Sequence, residues 1–203
     1  MDNMKTIFLD SNIIANWILI KEFTKRFEEL KNDRILRKRL RGISYSYTLI
    51  EALIETGDYY VKSSNLALAE VFHVIYNEIV SLKMYRLGIP LTLWSKLRTK
   101  HDLSKEEKFL VKEAVSKHLK TFRDQAEVVS DVVDDEIYPK LVLEYKLRTH
   151  DAVLLTTAIL NECSWFITND REIVDLEKRR KFSKIFGIFP DLPQNFLREV
   201  ASK

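Results

Sequence analysis

Short apolar runs alternate along the chain with longer stretches of helical periodicity, and the joints between them are polar. Thr6 to Leu9 is the first apolar run. It stops at Asp10, and Ser11 and Asn12 supply turn and cap residues before IIANWILI turns helical. Lys21 to Leu40 is strongly charged, with Phe23, Phe27 and Leu30 at roughly helical intervals, which predicts one amphipathic helix or a pair. Tyr45 to Thr56 predicts a helix broken by Gly57 and Asp58, and Tyr59 to Val61 a second strand. Ser63, Ser64 and Asn65 offer caps for a long helix, LALAEVFHVIYNEIVSLKMY, ending near Gly88 because Pro90 follows. Between Leu91 and Phe122, Ser104 precedes two glutamates and opens an amphipathic helix. Ala126 to Val129 reads as a third strand, followed by the acids Asp131, Asp134, Asp135 and Glu136. Ile137 to Leu147 is helical, an apolar helix opens at Thr149, and Trp165 to Thr168 is a strand running out at Asp170. Then REIVDLEKRRKF predicts a helix, IFGIF a last strand, and PDLPQNFLREV closes the chain.

Strands alternating with helices imply an α/β fold: three layers, α/β/α, with a mostly parallel central sheet covered on both faces and extra helices added. One domain over residues 1–203 is expected, with 21–44 and 86–125 as helical insertions or extensions. Of the residues, 46% are apolar and 31% charged, yet no apolar run approaches the ~20 residues of a membrane span. No membrane segment is therefore expected. The opening MDNMKTIFLDSN lacks the basic region and cleavage site of a signal peptide, so the expected compartment is the cytoplasm. The single cysteine, Cys163, has no partner for an internal disulfide, which agrees with a reducing environment. Net charge is only +3, but it is unevenly spread. Residues 31–41 hold six basic residues against one acid, and 177–184 five against one, so a rim for phosphate groups stands beside the simpler reading of solvated helix faces.

Four carboxylates carry the candidate chemistry. Asp10, Asp151 and Asp170 each sit at a strand end or helix start, where an acid is explained by capping and by the helix dipole alone. Asn169 and Glu172 even have capping-box spacing around Asp170. Glu70 is different: its helix neighbours are Leu66, Ala67, His73 and Val74, a mostly apolar face on which a carboxylate needs a cation or a solvent-filled cleft. Glu51, the fallback, has the more polar neighbours Tyr47, Thr48, Ile54 and Glu55. In a parallel sheet these four positions can converge at one edge, and clustered carboxylates are stable chiefly around divalent cations. Oxygen-only ligation suits Mg²⁺ or Mn²⁺. His73, His101, His118 and His150 have no shared ligand spacing, and His150, beside Asp151, is the one placed near the site in an orienting or structural role.

The pieces FLDSNII, SSNLALAEVF around Glu70, LRTHDAVLLTTAIL around Asp151 and WFITND ending at Asp170 resemble the PIN-domain nucleases, a family that includes the VapC-type toxins of toxin–antitoxin pairs. Their order matches along most of the chain. The resemblance implies a PIN-like fold and a metal-dependent ribonuclease with Asp10, Glu70, Asp151 and Asp170 as its catalytic, metal-holding acids. It implies supporting roles for Asn12 and Thr168. RNA, in single-stranded form, is the implied substrate, and a small antitoxin protein and a second copy of the chain are the implied partners. Arg148 and Arg171 adjoin site segments and are candidates for phosphate contacts. The chain is longer than the compact toxins, and its extra residues are open to roles as a cap over the cleft, a dimer surface or an RNA platform. A non-catalytic PIN-like module that binds RNA or protein is the alternative. Asp10 as a phosphoacceptor is disfavoured because Asn12 stands where that chemistry wants a second acid, and four glycines in all leave no phosphate-cradling loop.

Overall fold

The computed structural model describes residues 4–23 and 34–201. Strands Lys5–Leu9 (β1), Tyr59–Ser64 (β2), Glu127–Val129 (β3), Trp165–Ile167 (β4) and Phe189–Asp191 (β5) form one sheet in the spatial order β3-β2-β1-β4-β5, with every pairing parallel. Register is set by alternation: Ile7 lies opposite Val61 on one side and Trp165 on the other. Ile7, Leu9, Trp165 and Ile167 point to one face, Phe8 and Phe166 to the other, where their rings stack with centroids 5.5 Å apart. Both faces of β1 are therefore dry, and its sequence reads as a continuous apolar run.

The first face is covered by α1 (Ser11–Ile18), α2 (Arg34–Thr56), α3 (Asn65–Arg86), α5 (Lys105–Arg123) and α10 (Pro193–Ala201), around a core that includes Trp17, Leu49, Val71, Val115, Phe122 and Phe196. The second is covered by α6 (Ile137–Leu143), α7 (Thr149–Leu160), α8 (Arg171–Arg180) and α9 (Phe182–Phe186). That division follows from chain handedness: β1 to β3 step one way across the sheet and β4 to β5 the other, so right-handed crossovers fall on opposite faces. The result is the three-layer α/β/α arrangement expected from the strand–helix alternation.

α1 passes directly into a π-helical turn, Leu19–Phe23, and most of the charged stretch expected as helix after it lies outside the described residues. The helix expected from Tyr45 begins earlier, at Arg34. Within the expected insertion 86–125, a short α4 (Trp94–Leu97) lies between two 3₁₀ turns. It leads to Ser104, whose hydroxyl and Glu107 form a complete capping box for α5. Lys83 on α3 reaches Glu107 at 2.9 Å, and Leu103, Val111 and Leu119 are buried in the same apolar cluster as β1. These helices thus extend the first layer.

β2 runs on to Ser64, past the expected end at Val61, and two later boundaries differ more in kind. The helix from Ile137 stops at Leu143 rather than Leu147, because the chain turns back through Lys146 at φ 58°, an unfavourable left-handed conformation for a side-chain-bearing residue. The last strand is not IFGIF: Ile185 and Phe186 belong to α9, Gly187 terminates that helix at φ 75°, and β5 starts at Phe189. Phe182 and Phe186 are held there against the Tyr145 ring, 5.4 and 5.6 Å away. Pro190 then sits in an edge strand, where its missing N–H is tolerated.

α3 is fixed at its start from two directions. The buried Ser64 hydroxyl accepts from Ala67 N (3.2 Å), and Asp131, just past β3, accepts from Leu66 N (2.8 Å). Ser64→Ala should lower stability by ~1 kcal/mol, read by urea unfolding, because one first-turn donor loses its acceptor while Asp131 keeps the other.

Candidate active site

In an open parallel sheet, the chain connections diverge where the strand order reverses, leaving a crevice beyond the carboxyl ends of the two strands. Here that point is between β1 and β4, the strands that deliver Asp10 and the Thr168–Asp170 turn. Asp10 leaves β1 in extended conformation, donates its N–H to Ile167 O, and caps α1. Its side chain is almost fully enclosed, 5% exposed.

Four donors hold the Asp10 carboxylate. Oδ1 accepts from Ser11 N at 2.6 Å and Ser11 Oγ at 3.2 Å; Oδ2 accepts from Asn12 Nδ2 at 2.5 Å and Thr168 Oγ1 at 2.6 Å. Asn12 also donates to Thr168 Oγ1 and accepts from Asn169 N, so neither its amide orientation nor the Thr168 hydroxyl is free to turn. Asp170 N donates to the same Thr168 hydroxyl at 2.9 Å. Asn169 Nδ2 in turn reaches the buried Ser46 Oγ on α2. Even with these donors, burial pushes the Asp10 carboxyl up to about 6: desolvation is the largest effect, Thr168 and Ser11 oppose it, and the charges of Glu70 and Asp151 add to it.

Glu70, Asp151 and Asp170 join Asp10 around one cleft of about 230 Å³, with Asn12, His73, Arg148 and His150 also on its wall. Glu70 comes from the second turn of α3, Asp151 from the first turn of α7, and Asp170 from the N-cap of α8. The four acids expected from sequence are therefore neighbours in space. Their cap explanations also stand for two of them: Asp170 Oδ1 accepts from Glu172 N, which makes Asp170 itself the cap instead of Asn169. Glu51 is elsewhere, accepting from Trp17 Nε1 (2.7 Å) and Lys21 Nζ (2.9 Å). Arg171 is exposed and does not line the cleft.

Two contacts between segments of the wall, Arg148 with Asp170 and His150 with Glu70, were not foreseeable from residue spacing, whereas Arg148 and Asp151 stand at i,i+3. Arg148 bridges Asp151 (Nε–Oδ2, 2.9 Å) and Asp170 (Nη2–Oδ2, 3.0 Å), and His150 Nδ1 lies 2.9 Å from Glu70 Oε1. Burial still outweighs Arg148 at Asp151 and raises that carboxyl above its ordinary value. His118 is far from this chemistry, buried on α5 against the Trp17 ring and Glu22. Among the described residues, no three His, Cys, Asp or Glu side chains stand close enough together to hold one ion as placed. By donor chemistry the set fits a hard divalent cation: four carboxylates, no thiolate, and acids whose mutual repulsion contributes to the raised Asp10.

Fold and cleft together define an α/β protein with an acidic crevice at the switch point of a parallel sheet. No protein-family model matches the sequence. The chain belongs to the same family as an uncharacterized protein of the archaeon Archaeoglobus fulgidus, with which it is 33% identical over 106 residues, 51% of this chain and 88% of the relative. Among the described residues, no helix is long and apolar enough to cross a membrane.

Proposed function

We propose that the protein is a PIN-like, Mg²⁺- or Mn²⁺-dependent ribonuclease that hydrolyses phosphodiester bonds of single-stranded RNA in this cleft. The observation that carries the reading is the meeting of Asp10, Glu70, Asp151 and Asp170 at the β1/β4 crevice, from four segments that resemble the PIN nucleases. Asp10, Glu70 and Asp151 are the residues that would hold the cation, with Asp170 more peripheral: one of its oxygens caps α8 and the other faces Arg148 at the mouth. A cation bound there supplies an activated water and positive charge opposite the scissile phosphate.

The protein's own groups divide the remaining work. Ser11, Asn12 and Thr168 fix the Asp10 carboxylate in place, so it needs no reorganisation during reaction. Arg148, its side chain 72% exposed at the mouth, offers a guanidinium to phosphate oxygens. Thr168→Val removes a donor to Asp10 and an acceptor for Asp170 N, and should lower the cleavage rate by ~10–100-fold, as is typical for partners behind a metal ligand. Initial rates on a labelled RNA check this.

Incubating a mixed single-stranded RNA pool with the wild-type chain, with and without Mn²⁺, tests the main reading. Cleavage that requires the cation supports it, and an intact pool at all cation concentrations refutes it. The reading extends to a cytoplasmic toxin held by a small antitoxin protein, with a homodimer as the working unit; growth arrest on expression, absent in Asp10→Asn, checks that extension.

A second reading, a non-catalytic module that binds RNA or protein, is favoured by one observation. Arg148 already pairs with two of the four acids and His150 contacts a third, so the guanidinium partly neutralises the cluster from within the chain. Absence of Mn²⁺ binding by calorimetry near neutral pH would select this reading.

A further inference from the structure

Arg148 occupies an unusual position for a surface arginine. It stands at the N-cap position of α7 but makes no side-chain cap, and its guanidinium spans two acids that belong to different helices, Asp151 in the first turn of α7 and Asp170 at the head of α8. Both acids line the cleft and are only 20% and 23% exposed, whereas Arg148 is 72% exposed. The arginine therefore lies across the mouth, touching the cluster from outside with one edge of its fork.

We propose that Arg148 is an exchangeable counter-cation of the cleft: it pairs with Asp151 and Asp170 while no divalent cation is bound, and is displaced by that cation onto the incoming phosphodiester. This rests on the reading of the cleft as a divalent-cation site. Several physical points support it. Arginine stays charged at any working pH, so it can relieve the carboxylates only by position, and leaving means moving away as a cation. Ion pairs made by so exposed a side chain are weak and easily exchanged. Asp151 and Asp170 are each largely enclosed while the guanidinium that pairs with them is not, so a compact cation that enters the cleft reaches both acids from the inside. Once displaced, the planar guanidinium is anchored one residue before α7, at the same mouth, and matches two phosphate oxygens as well as it matched two carboxylates. Cation and phosphate binding are then coupled through one side chain, each favouring the other.

The full chain, as wild type, Arg148→Ala and Arg148→Lys, is titrated with MnCl₂ alone by calorimetry. Removing the competitor should tighten Mn²⁺ binding by about three- to tenfold in Arg148→Ala, with Arg148→Lys in between because it keeps the charge and loses the fork. In parallel, a fluorescein-labelled single-stranded DNA oligonucleotide, checked for intactness on a gel, serves as the phosphodiester probe. Wild type should bind it more tightly with Mn²⁺ than in EDTA, and Arg148→Ala should lose most of that gain. A purely structural arginine would not move the two affinities in opposite directions. Unchanged or weaker Mn²⁺ binding in both variants overturns the exchange and leaves the cation site standing, while no Mn²⁺ binding in any of the three proteins overturns the exchange together with the reading beneath it. Should Arg148→Ala fail to fold, Arg148→Lys decides by itself: Mn²⁺ binding no tighter than wild type counts against the proposal.

Discussion

Asp10→Asn and Asp151→Asn should each reduce Mn²⁺-dependent RNA cleavage by more than ~100-fold, beyond the 10–100-fold typical of partners behind a metal ligand, with circular dichroism unchanged. The expected order among the four acids is informative. Asp10 is locked by four donors at the floor of the crevice, and Asp151 projects into it from the first turn of α7, so either amide removes a negative oxygen that no neighbour replaces. Glu70→Gln belongs with them, because α3 offers no second acid on the cleft wall. Asp170→Asn should fall least: asparagine caps a helix as well as aspartate does, so α8 is kept, and only the oxygen facing Arg148 changes character. Initial rates for the four variants on one labelled RNA, at saturating Mn²⁺, give the comparison. Equal activity of Asp10→Asn and wild type would remove the ribonuclease assignment.

The second large effect is on stability and has the opposite sign. In EDTA the Asp10 carboxyl, ordinarily near 3.8, titrates at about 6 in the folded chain. Between those two values the folded protein holds a proton that the unfolded chain has released, so stability falls as pH rises across that window and the full penalty persists above it. The rise corresponds to about 3 kcal/mol. Asp10→Asn lacks the titration but keeps the same size and burial. The difference in unfolding free energy, wild type minus Asp10→Asn, should therefore become more negative by ~2.4 kcal/mol from pH 4 to pH 7, as measured by urea unfolding in EDTA. A pH-independent difference would mean that Asp10 is solvated or otherwise compensated. A residue proposed to hold the cation is then one whose charge weakens the cation-free fold, a familiar conflict between site and stability.

How much of this was readable beforehand depended on whether the determining interaction was local. The start of β1, the Ser64 cap and the Ser104 capping box follow from near neighbours, and strand–helix alternation was enough for the layered parallel sheet. Comparing helix-face neighbours separates Glu70 from Glu51, and the two indeed stand in different surroundings, the cleft and the Trp17–Lys21 corner. Short apolar runs were harder. Ile185 and Phe186 suit a strand or a helix equally by composition, and only the packing of Phe186 against Tyr145 settles which. Lys146 gave no sign of its left-handed backbone, since a non-glycine residue there is dictated by the turn between α6 and α7. Least visible were the long-range polar contacts: Asp131 on the start of α3, Asn169 on Ser46, and Arg148 across two helices. Nothing in the spacing of these residues encodes their meeting.

The Asp10–Thr168 hydrogen bond joins residues 158 positions apart. At ~5–20 residues per second of synthesis, the partner emerges roughly 8–30 seconds after the acid it holds. During that interval β1 has no β4 beside it, and a growing chain carries Asp10 without its Thr168 donor and without Asp170. The crevice is thus complete only once the chain has been made through Asp170, and a shorter product of translation lacks part of the acid cluster on which the proposed activity rests.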